Sequence, residues 1–268
     1  MALVRGAERL NPFVAIGSAS RSWLEAVGRA ALLFGAILRA LPRPRGIYAT
    51  AGLQQAYAMG VHSLPLVLIM SILGGSVIGL QANSQLVGGV PLWVVGSAVA
   101  AAILTEIGPV LTGMVLVGRV GASIAAELAT MKVTEQIDAL HAMGRDPVVF
   151  LVVPRVVAGV IVLPPLVILA DGAGILAGWL VSLASIDGMT TAEFVYGKRF
   201  YFRPIALIYS VLKAAAFGFA ITFLACHIGL EGGGSAEGVG RTTTKAVVAT
   251  TLAIMVLDVV LTPILKAF

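Results

Sequence analysis

The chain has 268 residues, of which 59% are apolar and 12% charged. Ordinary soluble domains carry roughly 25% charge, so too little is present here to coat a water-facing surface, and a soluble enzyme is excluded. The net charge of +5 does not indicate nucleic acid. The basic residues sit at the edges of apolar segments, as in the positive-inside pattern of membrane proteins. The single cysteine, Cys226, excludes an intramolecular disulfide framework and a cysteine-rich metal site.

The first residues, with Arg5, Glu8, Arg9 and then Asn11-Pro12, hold no apolar core, and no cleavable signal peptide is expected. Residues 19–41 read as an amphipathic helix. Arg21, Glu25 and Arg29 recur every four residues and share one face, while Trp23, Leu24, Val27, Leu33, Phe34, Ile37, Leu38 and Leu41 cover the rest. Such a helix suits the membrane surface rather than its interior. Pro42 and Pro44 stop it.

Five apolar segments follow. Leu64–Leu80 is uncharged and just long enough to span, since about 20 residues cross a bilayer. A polar loop, Gln81–Pro91, leads to Leu92–Gly118, interrupted by Glu106. Pro147–Ile186 carries Arg155 and Asp171; Pro204–Leu230 carries Lys213; Ala246–Leu265 carries Asp258. Seven basic residues precede residue 46 and none lies in loop 81–91, so the N-terminus is expected on the cytoplasmic side. The third segment has two readings. Val156–Ile186 is 31 residues, about 46 Å as a helix. It is one tilted span kinked at Pro164-Pro165, or a hairpin of two short spans. The hairpin places Lys198, Arg199 and Arg203 inside, but no polar turn of adequate length separates Pro164 from Asp171.

Between the second and third segments, Glu127, Lys132, Glu135 and Asp138 appear, with Ile124, Leu128, Met131, Ile137 and Leu140 at helical spacing. Gly144 ends this helix. A short amphipathic helix between two spans either docks onto another protein or merely covers the bundle, and periodicity leaves both open. Glu106, Lys213 and Asp258 lie well inside apolar segments, where each charge costs a few kcal/mol unless paired or wetted. One base between two acids points to a buried network, either a lock between helices or a polar patch in a transport path. Arg119 and Arg155 fall at span ends and read as interfacial anchors; Asp171 reads as a hydrated group at a kink.

Other patterns carry less. Gly75-xxx-Gly79 and Gly174-xxx-Gly178 match the small-xxx-small motif of helix packing. No Gly-Lys-Ser/Thr phosphate loop exists, so any ATP binding falls to a partner. His62, His141 and His227 lie in three regions and form no nucleophile–base pair with Cys226. No catalytic residue, metal site or cofactor is expected.

The runs L-T-E-I-G-P-V-L-T-G (104–113), G-R-V-G-A-S-I-A-A-E-L-A-T-M-K-V-T-E-Q-I-D-A-L (118–140), M-G-R-D-P (143–147) and P-R-V-V-A-G (154–159) resemble the MlaE (YrbE) permeases. A-E-G-V-G-R-T-T-T-K-A-V-V (236–248) and L-D-V-V-L-T (257–262) fit too. The resemblance covers about residues 50 to 268. It implies an all-α polytopic helix bundle with five transmembrane helices in a permease domain (50–268), while the interfacial N-terminal region (1–49) rests on its own amphipathic pattern. It also supports the single third span. It implies a homodimer in the inner membrane, working with an ABC ATPase, a small regulatory subunit on that ATPase and a ring of MCE-domain proteins, and moving phospholipid or a related lipid. The helix bearing Glu127, Leu128, Met131, Lys132, Glu135 and Asp138 becomes the expected coupling helix to the ATPase. Leu73, Val77 and Leu80, one stripe on the first span, become the expected lipid contacts. The rival reading is an ion-coupled secondary transporter in which Glu106, Asp171 and Asp258 bind protons or sodium. Such proteins often show internal repeats; none stands out, and five spans divide poorly into halves.

Overall fold

The computed structural model describes residues 12–40, 49–84, 91–201, 204–232 and 234–266, and every regular element among them is helical. The chain divides into two compact units, Met1–Arg45 and Gly46–Phe268. The first holds α1 (Pro12–Ala40), which begins seven residues earlier than the amphipathic pattern indicates. Its Arg21 and Glu25 are joined by a 3.0 Å ion pair one turn apart, on an exposed face. Leu24, Val27 and Leu38 are exposed. Leu41 and the proline stop at 42–45 lie outside the described residues.

The second unit opens with α2 (Ala49–Gly60) and α3 (Leu64–Ser84). Pro65 stands in the first turn of α3, where its missing N–H costs nothing. Helix α3 continues four residues into the expected loop, whose residues 85–90 lie outside the described ones. The next run is α4 (Trp93–Ala102), a π-helical turn Ile103–Ile107, α5 (Gly108–Leu116), a second π turn Val117–Gly121 and α6 (Ala122–Val133). These form one unbroken rod, Trp93–Val133, of 41 residues. The apolar span and the charged helix after it are therefore a single element. The break falls at Thr134–Glu135, where Glu135 takes a left-handed backbone (φ 58°) and starts the short α7 (Gln136–Ala142). Gly144, at φ 71°, terminates α7 as expected of a glycine just past a helix end.

A third π turn, Val148–Val152, enters α8 (Val153–Ser185), which passes through Pro164 and Pro165 without interruption. The third apolar segment is thus one helix, not a hairpin. Then come α9 (Thr191–Tyr201), α10 (Pro204–Glu231) and α11 (Ala236–Lys266). Thr190 and Glu193 make a reciprocal cap at the start of α9: the Thr190 N–H donates to Glu193 (3.1 Å) and the Glu193 N–H to the Thr190 hydroxyl (3.3 Å). Among the described residues, five helical stretches are long and apolar enough to cross a membrane: Thr50–Ala82, Trp93–Val133, Val148–Ser185, Ile205–Glu231 and Ala236–Ile264. Of their most apolar windows, 61% is buried in the third and only 11% in the fifth. So α8 is the central post, packed by α2, α3 and α10, and α11 lies outermost against α10 and α6.

Glycine sets the close approaches. Lipid tails are as apolar as leucine, so helices gain little by hiding apolar surface from them; tight van der Waals packing must hold them instead. The two small-xxx-small motifs meet each other. A Cβ on Gly75 would collide with the backbone of Gly174, and one on Gly79 would lie 2.7 Å from the Gly178 carbonyl oxygen. Gly159 and Gly218 repeat the arrangement between α8 and α10.

Gly75→Leu or Gly174→Val should therefore force α3 off α8. The thermal unfolding midpoint in detergent should fall by an amount corresponding to at least the 1–3 kcal/mol typical of overpacking. Gly172→Ala, with nothing within 4 Å of the added carbon, should be neutral.

Candidate functional site

The polar centre of the bundle is Lys213, only 2% exposed. Its ammonium donates to Glu106 Oε2 (2.7 Å), to Asp258 Oδ1 (2.8 Å) and to the carbonyl of Thr105 (2.8 Å). These three partners use all three ammonium protons. Thr262, one turn beyond Asp258, has its single hydroxyl proton within reach of two acceptors, the Asp258 carbonyl (2.7 Å) and Glu106 Oε1 (3.2 Å). The second, fourth and fifth spans are thereby tied at one point. The π turn Ile103–Ile107 carries Glu106 and Thr105. One extra residue in a turn rotates the downstream helix face by about 100°. It also loosens a carbonyl for an outside donor, and π bulges recur at functional sites for such reasons. The two acids are less enclosed than the base, with 35% of the Glu106 and 19% of the Asp258 side chain exposed. The cluster thus presents its carboxylates toward the outer face of the bundle and its ammonium toward the core.

Asp171 does not sit at a hydrated kink. It is 2% exposed on the continuous α8. Its Oδ2 accepts a 2.7 Å bond from Ser210, one turn before Lys213 on α10. Its Oδ1 has no hydrogen-bond partner and lies where a Cβ on Gly108 would stand, so only glycine fits at 108. Arg155 likewise is not a snorkelling anchor. It is 4% exposed and bonds Glu127 (2.9 Å) and the Leu151 carbonyl (2.7 Å), which belongs to the third π turn. Arg119 lies on the second π turn and donates to Ser63.

The residues expected on a coupling helix separate into two groups. Leu128 is fully buried in this chain, against Gly229 of α10, because α6 packs on α10 and α11; it is not a surface anchor. Glu127 pairs with Arg155, and Lys132 donates to the Leu230 carbonyl at the end of α10 (2.8 Å). Met131 and Ile137 are half-buried, Glu135 and Asp138 are exposed, and α7 buries no residue at all. The outward surface is therefore the end of α6 together with α7. Leu73, Val77 and Leu80 are each more than half exposed, on the side of α3 opposite the glycines that pack on α8. No cluster of His, Cys, Asp or Glu suited to a metal ion occurs among the described residues.

Comparison with known proteins then identifies the scaffold. Residues 52–264 match the family model for the permease MlaE. The chain belongs to the MlaE permease family. It is 37% identical over 253 residues to a probable ABC transporter permease protein of Rickettsia felis, covering 94% of this chain and 97% of that one. It is 33% identical over 263 residues to the intermembrane phospholipid transport system permease protein MlaE of Haemophilus influenzae, covering 96% and 98%. A chloroplastic protein of Arabidopsis thaliana, TRIGALACTOSYLDIACYLGLYCEROL 1, is 34% identical over 209 residues, 78% of this chain and 59% of its own length. As an MlaE-type permease with five apolar helices, the chain is a multi-pass membrane protein.

Removing one partner of a buried ion pair typically costs 3–5 kcal/mol, because the other charge is left uncompensated. Lys213→Met strands two carboxylates and should destabilise most. Glu106→Gln and Asp258→Asn should each cost less, since both acids are partly exposed. The double variant Glu106→Gln/Lys213→Met should be less harmed than the sum of its parts in a double-mutant cycle of thermal unfolding. Strict additivity would mean that the two side chains do not interact.

Proposed function

We propose that this chain is the membrane-spanning permease subunit of an ATP-driven transporter that moves phospholipid or a related lipid. The observation that carries the reading is the family match across 52–264 together with the near full-length likeness to a phospholipid-transport permease. The chain supplies the lipid path and no chemistry of its own; a separate ABC ATPase hydrolyses ATP. The working unit is a homodimer in the inner membrane with a cytoplasmic N-terminus. It hands lipid to or from a ring of MCE-domain proteins on the far side, with a small regulatory subunit on the ATPase.

In this reading the end of α6 and α7 receive the ATPase stroke. Anchors buried at an interface carry most of its binding energy and rim charges carry less. Met131 and Ile137 would supply the apolar contact, and Glu135 and Asp138 the rim. Leu128, buried beneath them, would transmit movement to α10 rather than touch the partner. Glu106, Lys213 and Asp258 would form the polar element along the lipid path, and the Leu73, Val77, Leu80 stripe would contact acyl chains.

Two measurements test the reading. Met131→Asp should lose the ATPase on co-purification from membranes and abolish lipid-stimulated ATP hydrolysis, while the permease itself stays folded. Asp138→Asn should weaken the coupling mildly and with salt dependence. Retention of the ATPase by Met131→Asp at wild-type stoichiometry and activity would exclude this element as the dock. Photo-crosslinkers at Leu73, Val77 and Leu80 should capture lipid more strongly than crosslinkers at other exposed apolar positions such as Ile161 or Leu176 of α8. Equal capture everywhere would remove the stripe from the lipid path.

A further inference from the structure

A second polar site lies apart from the Lys213 cluster. A cavity of about 280 Å³ opens between α2 and the second π turn, lined among others by Gln55, Met59, His62, Arg119, Ser123 and Glu127. We propose that it binds a phosphate group, either that of a lipid headgroup at this membrane surface or free phosphate.

The charges select an anion. Glu127 is held by the buried Arg155 at 2.9 Å, so its charge is already matched. Among the described residues Arg119 has no carboxylate partner: its hydrogen bond runs to the neutral hydroxyl of Ser63. A guanidinium carries five N–H donors in a planar fork that matches phosphate oxygens two at a time. The remaining donors of Arg119 are thus available to the cavity, and the one anion of its lining, Glu127, is neutralised from outside the lining by Arg155. Gln55, His62 and Ser123 add hydrogen-bonding groups around it.

Depth fits the same ligand. Trp93, whose ring stacks edge-on with Tyr196 (5.8 Å) and Phe200 (5.1 Å), marks one end of the second span, as interfacial aromatics do. Arg119 stands 26 residues further along the same rod, roughly 39 Å at 1.5 Å per residue. The hydrocarbon core is only about 30 Å thick, so Arg119 reaches the headgroup layer of the opposite surface. His62, just before α3, lies at that same end. The cavity is below the size of ordinary drug-sized ligand pockets, about 300–1,000 Å³, which suits a headgroup whose acyl chains remain outside in the bilayer.

The test is a calorimetric titration of the full chain in a neutral detergent, with no ATPase or ATP present, so its failure would leave the transport reading untouched. The probes are dihexanoyl phosphatidic acid, its phosphate-free counterpart dihexanoylglycerol, and sodium phosphate at matched ionic strength. The phosphatidic acid should bind and the dihexanoylglycerol should not. Arg119→Gln should weaken binding by about tenfold or more, as loss of a charge-assisted bidentate contact does, and Arg119→Lys by less. Ser123→Phe fills the cavity from an exposed position; it should abolish binding with Arg119 intact, and it decides the matter if Arg119→Gln fails to fold. Inorganic phosphate binding as tightly, with the same dependence on Arg119, would assign the site to free phosphate. Equal binding of both lipids, or affinities unchanged in Arg119→Gln and Ser123→Phe, would overturn the proposal.

Discussion

An ammonium at the middle of a membrane bundle has to be compensated where it stands, and the arrangement of three spans follows from that requirement at Lys213. The cost of an isolated charge at bilayer depth is several kcal/mol. Here it is met by two carboxylates and a carbonyl within 2.8 Å, supplied by the second and fifth spans. The compensation is unequal. Two acids face one base, and the acids are the more exposed members. The partly uncovered acids agree with the proposed polar element along a lipid path.

The backbone is shaped to make this cluster. The second span contains two π turns in one rod, and each carries a functional candidate, Glu106 on the first and Arg119 on the second. Around them glycine contacts set the closest helix approaches, and large side chains such as Phe217, Leu116 and Leu163 fill the space between. Gly75 and Gly79 rest on Gly174 and Gly178, and Gly159 rests on Gly218. The outermost span, α11, brings Asp258 and Thr262 to the polar centre and buries Ala246, Thr250 and Ile254 against its neighbours. The glycine-packed α3–α8–α10 core and the outermost α11 are the parts that the proposed stroke at the α6–α7 end would move against each other.

Much of this was legible in the sequence because membrane physics writes it in coarse symbols. Runs of apolar residues mark the spans, a charge inside a run marks a buried network, and paired small-xxx-small motifs mark close packing. Pro164-Pro165 left the third segment ambiguous, since proline weakens a helix by an amount that neighbours in a bundle can absorb. Other features left no signal. A π turn depends on tertiary contacts, so nothing in I-L-T-E-I announces one. Arg155 at a span end looks the same whether it snorkels or pairs, and its partner Glu127 is 28 residues away in a different helix. Helical spacing put Leu128 on the same stripe as Met131, but spacing cannot tell which of two neighbours, the chain's own α10 or another protein, covers that stripe. Thr262 could have been found: it falls one turn beyond Asp258 and so shares its face.

The central claim is that Glu106, Lys213 and Asp258 work in transport and do more than hold helices together. Its most direct test is ATP-dependent lipid transfer from proteoliposomes by the charge-neutral triple variant Glu106→Gln/Lys213→Met/Asp258→Asn, assembled with the ATPase. Neutralising all three leaves no stranded charge, so the variant should fold and bind the ATPase as the wild type does. The account predicts that lipid transfer is nevertheless lost. Transfer at the wild-type rate would contradict it and reduce the cluster to a lock between three spans.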